Sequence, residues 1–187
     1  MITPQATDLL ISPPGLPDPR FNNTVLMLTH HHDQGAFALC VNRESHHTLQ
    51  DLIREVDIAL DCELNFPLYW GGPMSPTTIW MLHSSEWQID GVTVPIDDQW
   101  SMTSNMRMFQ HIADGDYPQY FRIMYGYCSW ARDQLTSEIE GRAPWKKEHS
   151  WLVAHNLGPE WLFEQPIEDL WTNATTLCSH QAVDSWL

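Results

Sequence analysis

The chain has 187 residues, 43% apolar and 18% charged, a balance that suits a soluble globular protein and excludes a disordered, fibrous or low-complexity one. Nine basic residues against 24 acidic ones leave a net charge of -15, a field that repels phosphate backbones and anionic lipid surfaces, so no direct nucleic-acid binding is expected. No run approaches the roughly 20 apolar residues of a membrane span, the opening MITPQATD lacks the basic start and apolar core of a signal peptide, and Cys40, Cys62, Cys128 and Cys178 stand too far apart for a zinc or redox pair, which together read as a cytoplasmic protein with free thiols.

Residues 8–12 read as a short apolar strand ended by Pro13-Pro14-Gly15, followed by an extended loop containing Pro17 and Pro19. Residues 23–30 and 36–42 are β-rich runs joined across Asp33-Gln34-Gly35, a hairpin signal. Thr48 caps a short amphipathic helix whose apolar positions are Leu49, Leu52, Ile53 and Val56. Residues 66–70 and 78–83 are strands on either side of Gly71-Gly72-Pro73, where glycine permits backbone angles closed to other residues, and 92–96 and 100–103 add two more.

A helix from Ser104 to Gly115 turns Met106, Phe109, Ile112 and Ala113 inward, and 120–127 is the next strand. Ser129 caps a following helix in which Ala131, Leu135 and Ile139 form one stripe and Trp130, Gln134 and Glu138 a neighbouring one, stopped by Gly141 and Pro144. A late strand at 151–154, a short one at 162–163 and a helix over 167–177 opened by Pro166 complete the order. Strands and helices mixed without strict alternation favour an α+β fold, with no internal repeat, linker or composition break, hence one domain over residues 1–187. Leu10, Leu26, Leu28, Leu39, Val41, Ile79, Met81, Ile123, Leu135, Ile139 and Leu170 are its expected core.

The stretch 125–145, YGYCSWARDQLTSEIEGRAPW, with Tyr69-Trp70-Gly71-Gly72-Pro73, Leu82-His83-Ser84 and Leu16-Pro17-Asp18-Pro19-Arg20-Phe21, resembles the YqgE/AlgH family over nearly the whole chain. That resemblance implies a compact α+β domain with a strongly coiled, mostly antiparallel or mixed sheet and peripheral helices. It also implies a non-enzymatic regulatory or protein-binding role, with an indirect part in transcription. The chain departs from the family pattern where a Gly-Pro-Gly-Gln-Leu run reads Ala131-Arg132-Asp133-Gln134-Leu135, and where Arg142-Ala143-Pro144 replaces an asparagine before Trp145.

Four constellations bear on chemistry. Gly126-Tyr127-Cys128-Ser129-Trp130 lies where a nucleophile elbow would, but lacks its second glycine, and family members carry alanine at the Cys128 position, so a tight structural turn is the expected reading. His30-His31-His32-Asp33 and His46-His47 are surface imidazoles without a fixed third ligand, so no metal and no cofactor are expected. Asn42, Gly71, Gly72, His83, Gln134 and Glu138 match the family pattern; the polar ones either line a ligand pocket, with an enzyme or small-ligand binder near Gly71, His83 and Gln134 as the alternative function, or satisfy backbone groups at bends. Among ten tryptophans, Trp130, Trp145 and Trp171 are expected in the core, while Trp87, Trp161 and Trp186 sit in polar contexts suited to anchoring a protein partner.

Overall fold

A computed structural model describes residues 3–55 and 57–184; Val56 and Trp186 lie outside the described residues. Ten strands form one curled, mostly antiparallel sheet: β1 (Leu9–Ile11), β2 (Val25–His32), β3 (Gly35–Cys40), β4 (Glu44–Thr48), β5 (Pro67–Trp70), β6 (Met74–Ser84), β7 (Val94–Pro95), β8 (Trp100–Thr103), β9 (Phe121–Ala131) and β10 (Leu152–Ala154). Around it lie α1 (Leu49–Glu55), α2 (Arg107–Ala113), α3 (Gln134–Glu140), α4 (Pro159–Glu164) and α5 (Leu170–Asp184). The order across the main path is β10-β1-β2-β3-β9-β6-β8-β7, with β5 paired to β9 off this path and β4 paired to β5. The architecture is α+β, as the mixed pattern implies, and no helix among the described residues is long and apolar enough to cross a membrane.

Apolar residues on both sides of the sheet explain the unbroken runs Leu9-Leu10-Ile11 and Val25-Leu26-Met27-Leu28, since alternate side chains of a strand point to opposite faces. Leu9, Ile11, Val25, Met27, Leu39 and Val41 pack with Leu162, Leu170 and Ala174 of α4 and α5. Leu10, Leu26, Leu28, Ala38 and Cys40 face the other way, onto Cys128, Trp130, Leu135 and Trp151. A third cluster joins Leu49 and Ile53 of α1, Phe109 and Ile112 of α2, and Ile79, Met81 and Ile123. Every expected core residue is buried except Ile139, which is half-buried at the edge of the second cluster.

The spine of the sheet is β9. Its first half runs between β5, which pairs parallel to it (Leu68↔Ile123, Trp70↔Tyr125), and antiparallel β6 (Ile79↔Tyr125, Met81↔Ile123). Its second half pairs with β3, from Ala38↔Cys128 to Gly35↔Ala131. Strands β3 and β5 therefore meet end to end along one edge of β9, and the chain leaving β5 must cross there. Gly71 donates its N–H to the Tyr125 carbonyl (2.7 Å) and accepts the Cys40 N–H at its own carbonyl (2.8 Å). A Cβ on Gly71 would strike the Gly126 carbonyl, one on Gly72 the Tyr127 carbonyl, and one on Gly126, whose φ is +72°, the Gly72 carbonyl. The crossing is thus closed to any residue but glycine on both strands.

Several elements differ from the sequence expectation. The expected helix from Ser129 starts only at Gln134, because pairing with β3 keeps residues 126–131 in β9; Ser129 is a strand residue and no cap. Residues 162–163 are helical in α4, whose first turn Pro159 opens after Gly158. In α2 the buried face is Met108, Phe109 and Ile112, with Met106 45% exposed, since the helix begins three residues later than its Ser104 start signal. Strand β4 went unread because Glu-Ser-His-His-Thr is polar on both faces and pairs with β5 through its backbone alone.

Arg122 is the one charged side chain of β9 turned into the core, 6% exposed, with its guanidinium over the rings of Tyr69 (5.1 Å) and Phe163 of α4 (4.8 Å) and an N–H donated to the Val41 carbonyl. Burial pushes its pKa down from the usual arginine value.

The glycine crossing gives a direct test by thermal unfolding. Gly72→Ala must displace the Tyr127 backbone and is expected to cost about 3 kcal/mol. Gly91→Ala, with open space around its Cβ, bears only the strain of a φ of +72°, about 1 to 2 kcal/mol. Equal melting temperatures for the two variants would contradict the crossing.

Candidate functional site

One cleft, about 470 Å³, opens on the face of the sheet that carries Trp130 and Trp151. Its near wall is the loop Leu16, Pro17, Asp18, Arg20 and Phe21, and its floor is Pro73 with Cys128, Ser129 and Trp130 of β9. Gln134 and Glu138 of α3, with Trp145, His149 and Trp151, complete the lining.

The near wall is built and braced by four polar side chains, Asp18, Arg20, Asn42 and Arg43. Asp18 accepts the Arg20 backbone N–H at 3.0 Å, which caps the 3-10 turn Pro19–Phe21, and takes the Arg20 guanidinium as a fork, Nη2 to Oδ2 at 2.7 Å. Those Arg20 hydrogen bonds hold the Asp18 carboxyl below the usual carboxylate range. Asn42 then ties this loop to the sheet: its Oδ1 accepts the Val25 N–H and its Nδ2 donates to the Asn23 carbonyl, both at 2.8 Å. Beside it Arg43 donates to the Asn22 carbonyl (2.8 Å) and lies over the Trp70 ring (5.4 Å). So anchored, Phe21 packs edge-on to Trp151, with ring centroids 5.7 Å apart.

At the back of the cleft the Glu138 carboxylate gathers three donors. Its Oε2 accepts the indole N–H of Trp130 at 2.9 Å and of Trp151 at 3.0 Å, and its Oε1 accepts the Gln134 amide at 2.9 Å. Gln134 is held in turn, its carbonyl oxygen accepting the Ala131 N–H at 3.0 Å. One carboxylate thereby joins the end of β9, helix α3 and the approach to β10. Trp130 and Glu138 meet strand to helix rather than along one helix face, and Trp151, whose place in this group no motif announced, supplies the third element.

His83 lies elsewhere. It is fully buried, its Nδ1 is 2.8 Å from the Ser84 carbonyl, and its Nε2 is 3.0 Å from the Thr103 hydroxyl. A carbonyl accepts only, so Nδ1 carries the proton and Nε2 accepts from Thr103. Thr103 then takes the Thr93 hydroxyl proton at 2.8 Å, and Thr93 accepts the Ile89 N–H at 2.8 Å. The chain closes with every partner satisfied. Burial pushes the His83 pKa down, so the imidazole stays neutral. Of the six positions singled out by resemblance, Gln134 and Glu138 line the cleft, Asn42 braces its wall, Gly71 and Gly72 form the crossing beneath Pro73, and His83 belongs to this separate network.

Cys128 is placed for packing rather than attack. It is 3% exposed in the middle of β9, its thiol points at the Gly71 carbonyl (3.8 Å), and burial pushes its pKa well above the usual thiol value. The strand-to-helix setting of a nucleophile elbow is absent, because β9 continues through Ala131. Among the described residues no group of three or more His, Cys, Asp and Glu could hold a metal ion. His30 meets the Thr29 hydroxyl and the Phe37 ring, His31 the Pro4 carbonyl, and His32 the Gln34 N–H. Of the expected partner anchors, Trp87 is 8% exposed with its indole N–H on Asp116 (2.9 Å), while Trp161 is half-buried. Trp145 and Trp171, expected in the core, are half-buried.

Two measurements check these assignments. The unfolded chain gains a proton at its histidines as pH falls through about 6.5, while folded His83 does not, so the stability this site contributes is complete above that pH and lost on acidification. Urea unfolding of wild type and His83→Gln is therefore expected to show a stability difference that shrinks from pH 7.5 to pH 5.5; a difference independent of pH would mean that the buried ring accepts a proton without cost. Iodoacetamide on the native protein is expected to modify exposed Cys62 and spare Cys128, and Cys128→Ala to cost about 1 kcal/mol.

With this geometry in view, the comparisons with known proteins agree in one direction. The AlgH-like family model matches residues 9–182. A UPF0301 protein of Nitrosospira multiformis is 34% identical over 181 residues, 92% of this chain and 91% of its own length. A UPF0301 protein of Francisella philomiragia is 30% identical over 172 residues, 89% of this chain and 86% of its own. Among solved structures, the solution structure of the AlgH protein from Pseudomonas aeruginosa superposes with a TM-score of 0.76 at 27% identity, covering 95% of this chain and 91% of that one. A Corynebacterium diphtheriae protein shares the fold, with a TM-score of 0.68 at 19% identity over 92% of this chain and 86% of that one. On sequence and fold alike, the chain belongs to the AlgH-like family.

Proposed function

We propose that this chain is a non-enzymatic, cytoplasmic binding protein that docks a segment of a protein partner in the aromatic cleft and acts on gene expression only through that partner. The observation that carries this reading is convergence. Leu16, Pro17, Asp18, Arg20, Phe21, Pro73, Cys128 to Trp130, Gln134, Glu138 and Trp145 come from the separate sequence stretches that resemble the YqgE/AlgH family, and they line one cavity. Phe21 and Trp145 are half-exposed beside the buried rings of Trp130 and Trp151, and exposed aromatic rings are frequent anchors of protein interfaces. Catalysis finds little support there, because Cys128 is a buried thiol with a raised pKa and the Glu138 carboxylate is already engaged by three N–H donors.

A second reading, a small-molecule binder, rests on the cavity volume of about 470 Å³, within the range of ligand pockets. Direct DNA binding is disfavoured by the net charge of -15, and the local cations Arg142 and Lys146 are offset by Glu140 and Glu148.

Affinity capture with tagged wild type, Trp145→Ala and Trp161→Ala tests the docking. A partner retained by wild type and by Trp161→Ala is expected to bind Trp145→Ala at least tenfold more weakly. Loss through Trp161→Ala alone would move the interface to α4, and retention by both variants would remove the cleft from the function. A gel-shift titration with duplex DNA at about 150 mM salt is expected to give no sequence-dependent shift.

A further inference from the structure

The polar groups of the cleft are spent unevenly, and this restricts what can enter. Both indole N–H groups and the Gln134 amide point inward to Glu138, and the Arg20 guanidinium is forked onto Asp18. The two indole donors of Trp130 and Trp151 are therefore occupied. What remains on Glu138 is acceptor capacity: each carboxylate oxygen has two acceptor positions, and Oε2 fills both with indoles, whereas Oε1 receives one bond, from Gln134, among the described residues. An entering donor can take the open position on Oε1. The same cleft is lined by the half-exposed rings of Phe21 and Trp145 and by the edges of the largely buried Trp130 and Trp151, which stand nearly perpendicular at 85° with 6.4 Å between centroids. The ionisable groups on the cleft are Asp18, Arg20, Cys128, Glu138 and His149, with Arg20 neutralised by Asp18 and Cys128 held as a thiol by burial, in a molecule whose overall charge of -15 draws cations toward it.

Resting on the reading of this cleft as a docking site, we propose that its occupant is a lysine side chain of the partner protein, with the ammonium on Glu138 Oε1 and the four-carbon stem against the aromatic walls. Aromatic faces attract a cation and bury an aliphatic stem at once. Lysine is selected over arginine because a guanidinium binds a carboxylate best through two parallel bonds, one to each oxygen, and Oε2 is closed by the two indoles. An uncharged chain of the same length would fill the walls and leave the acceptor unmet.

The indole N–H signals of Trp130 and Trp151 report on the site directly in 15N-labelled full-length protein, assigned through Trp130→Phe and Trp151→Phe. Three probes are titrated: the N-acetyl methylamides of lysine, arginine and norleucine. The lysine probe is expected to shift both indole signals saturably, the arginine probe to bind at least threefold more weakly, the norleucine probe to leave them in place, and Glu138→Gln to weaken the lysine probe at least tenfold. Equal shifts with norleucine would overturn the charge argument while leaving cleft docking intact. Tighter binding of arginine would overturn the single-acceptor geometry, and no shift with any probe would overturn the proposal whatever the capture experiment shows. Should Glu138→Gln fail to fold, the probe comparison on wild type decides alone.

Discussion

The architecture depends on a backbone crossing too close for side chains. Gly71 and Gly72 pass over Gly126 where β3 and β5 meet on the edge of β9, and the carbonyl of each strand occupies the volume a Cβ on the other would need. Because Gly71 bonds both Tyr125 and Cys40, the crossing joins the two halves of the β9 edge instead of interrupting it. Two consequences reach the cleft. The sheet curls at Gly126, so that the second half of β9 turns Cys128 and Trp130 toward Leu135 and Trp151, and the chain leaving the crossing delivers Pro73 to the floor.

Two buried polar systems in the same sheet contrast in design. The His83 chain passes hydrogen bonds from Ile89 through Thr93 and Thr103 to the imidazole and on to the Ser84 carbonyl, and every donor along it is used. Such a closed chain holds β6, β8 and the 89–93 turn in one register and has nothing to offer a ligand. The Glu138 system also joins three elements, but it terminates in a carboxylate at the wall of a cavity. The two systems differ in exposure: His83 and Thr103 are fully buried, whereas Glu138 lines a cavity.

The core was legible because it rests on alternation and periodicity: positions such as Leu26, Leu28, Met81 and Ile123 are apolar in patterns that only a two-sided sheet explains. The end of β9 was not legible, since Ala131, Leu135 and Ile139 satisfy a helical period while pairing with β3, a long-range contact, claims Ala131 for the sheet. Strand β4 is polar throughout and carries no period to detect. For the site, family resemblance pointed to Gln134 and Glu138, and helical spacing linked them to Trp130 for a reason the fold replaces. Trp151 was visible only as one tryptophan among ten, because convergence of residues 138 and 151 on one carboxylate is a property of the fold.

Arg122 has a further consequence for α4. This helix is short, six residues, and Phe163 is the ring it lays over the guanidinium. Hydration favours the charged group in the open state, whereas apolar burial of Leu162 and stacking on Phe163 favour the closed one. Local opening of α4 thus returns a cation to water at the same time as it exposes hydrocarbon, and the two terms oppose each other. That opposition lowers the cost of lifting α4, and amide exchange should register it before the strands it covers.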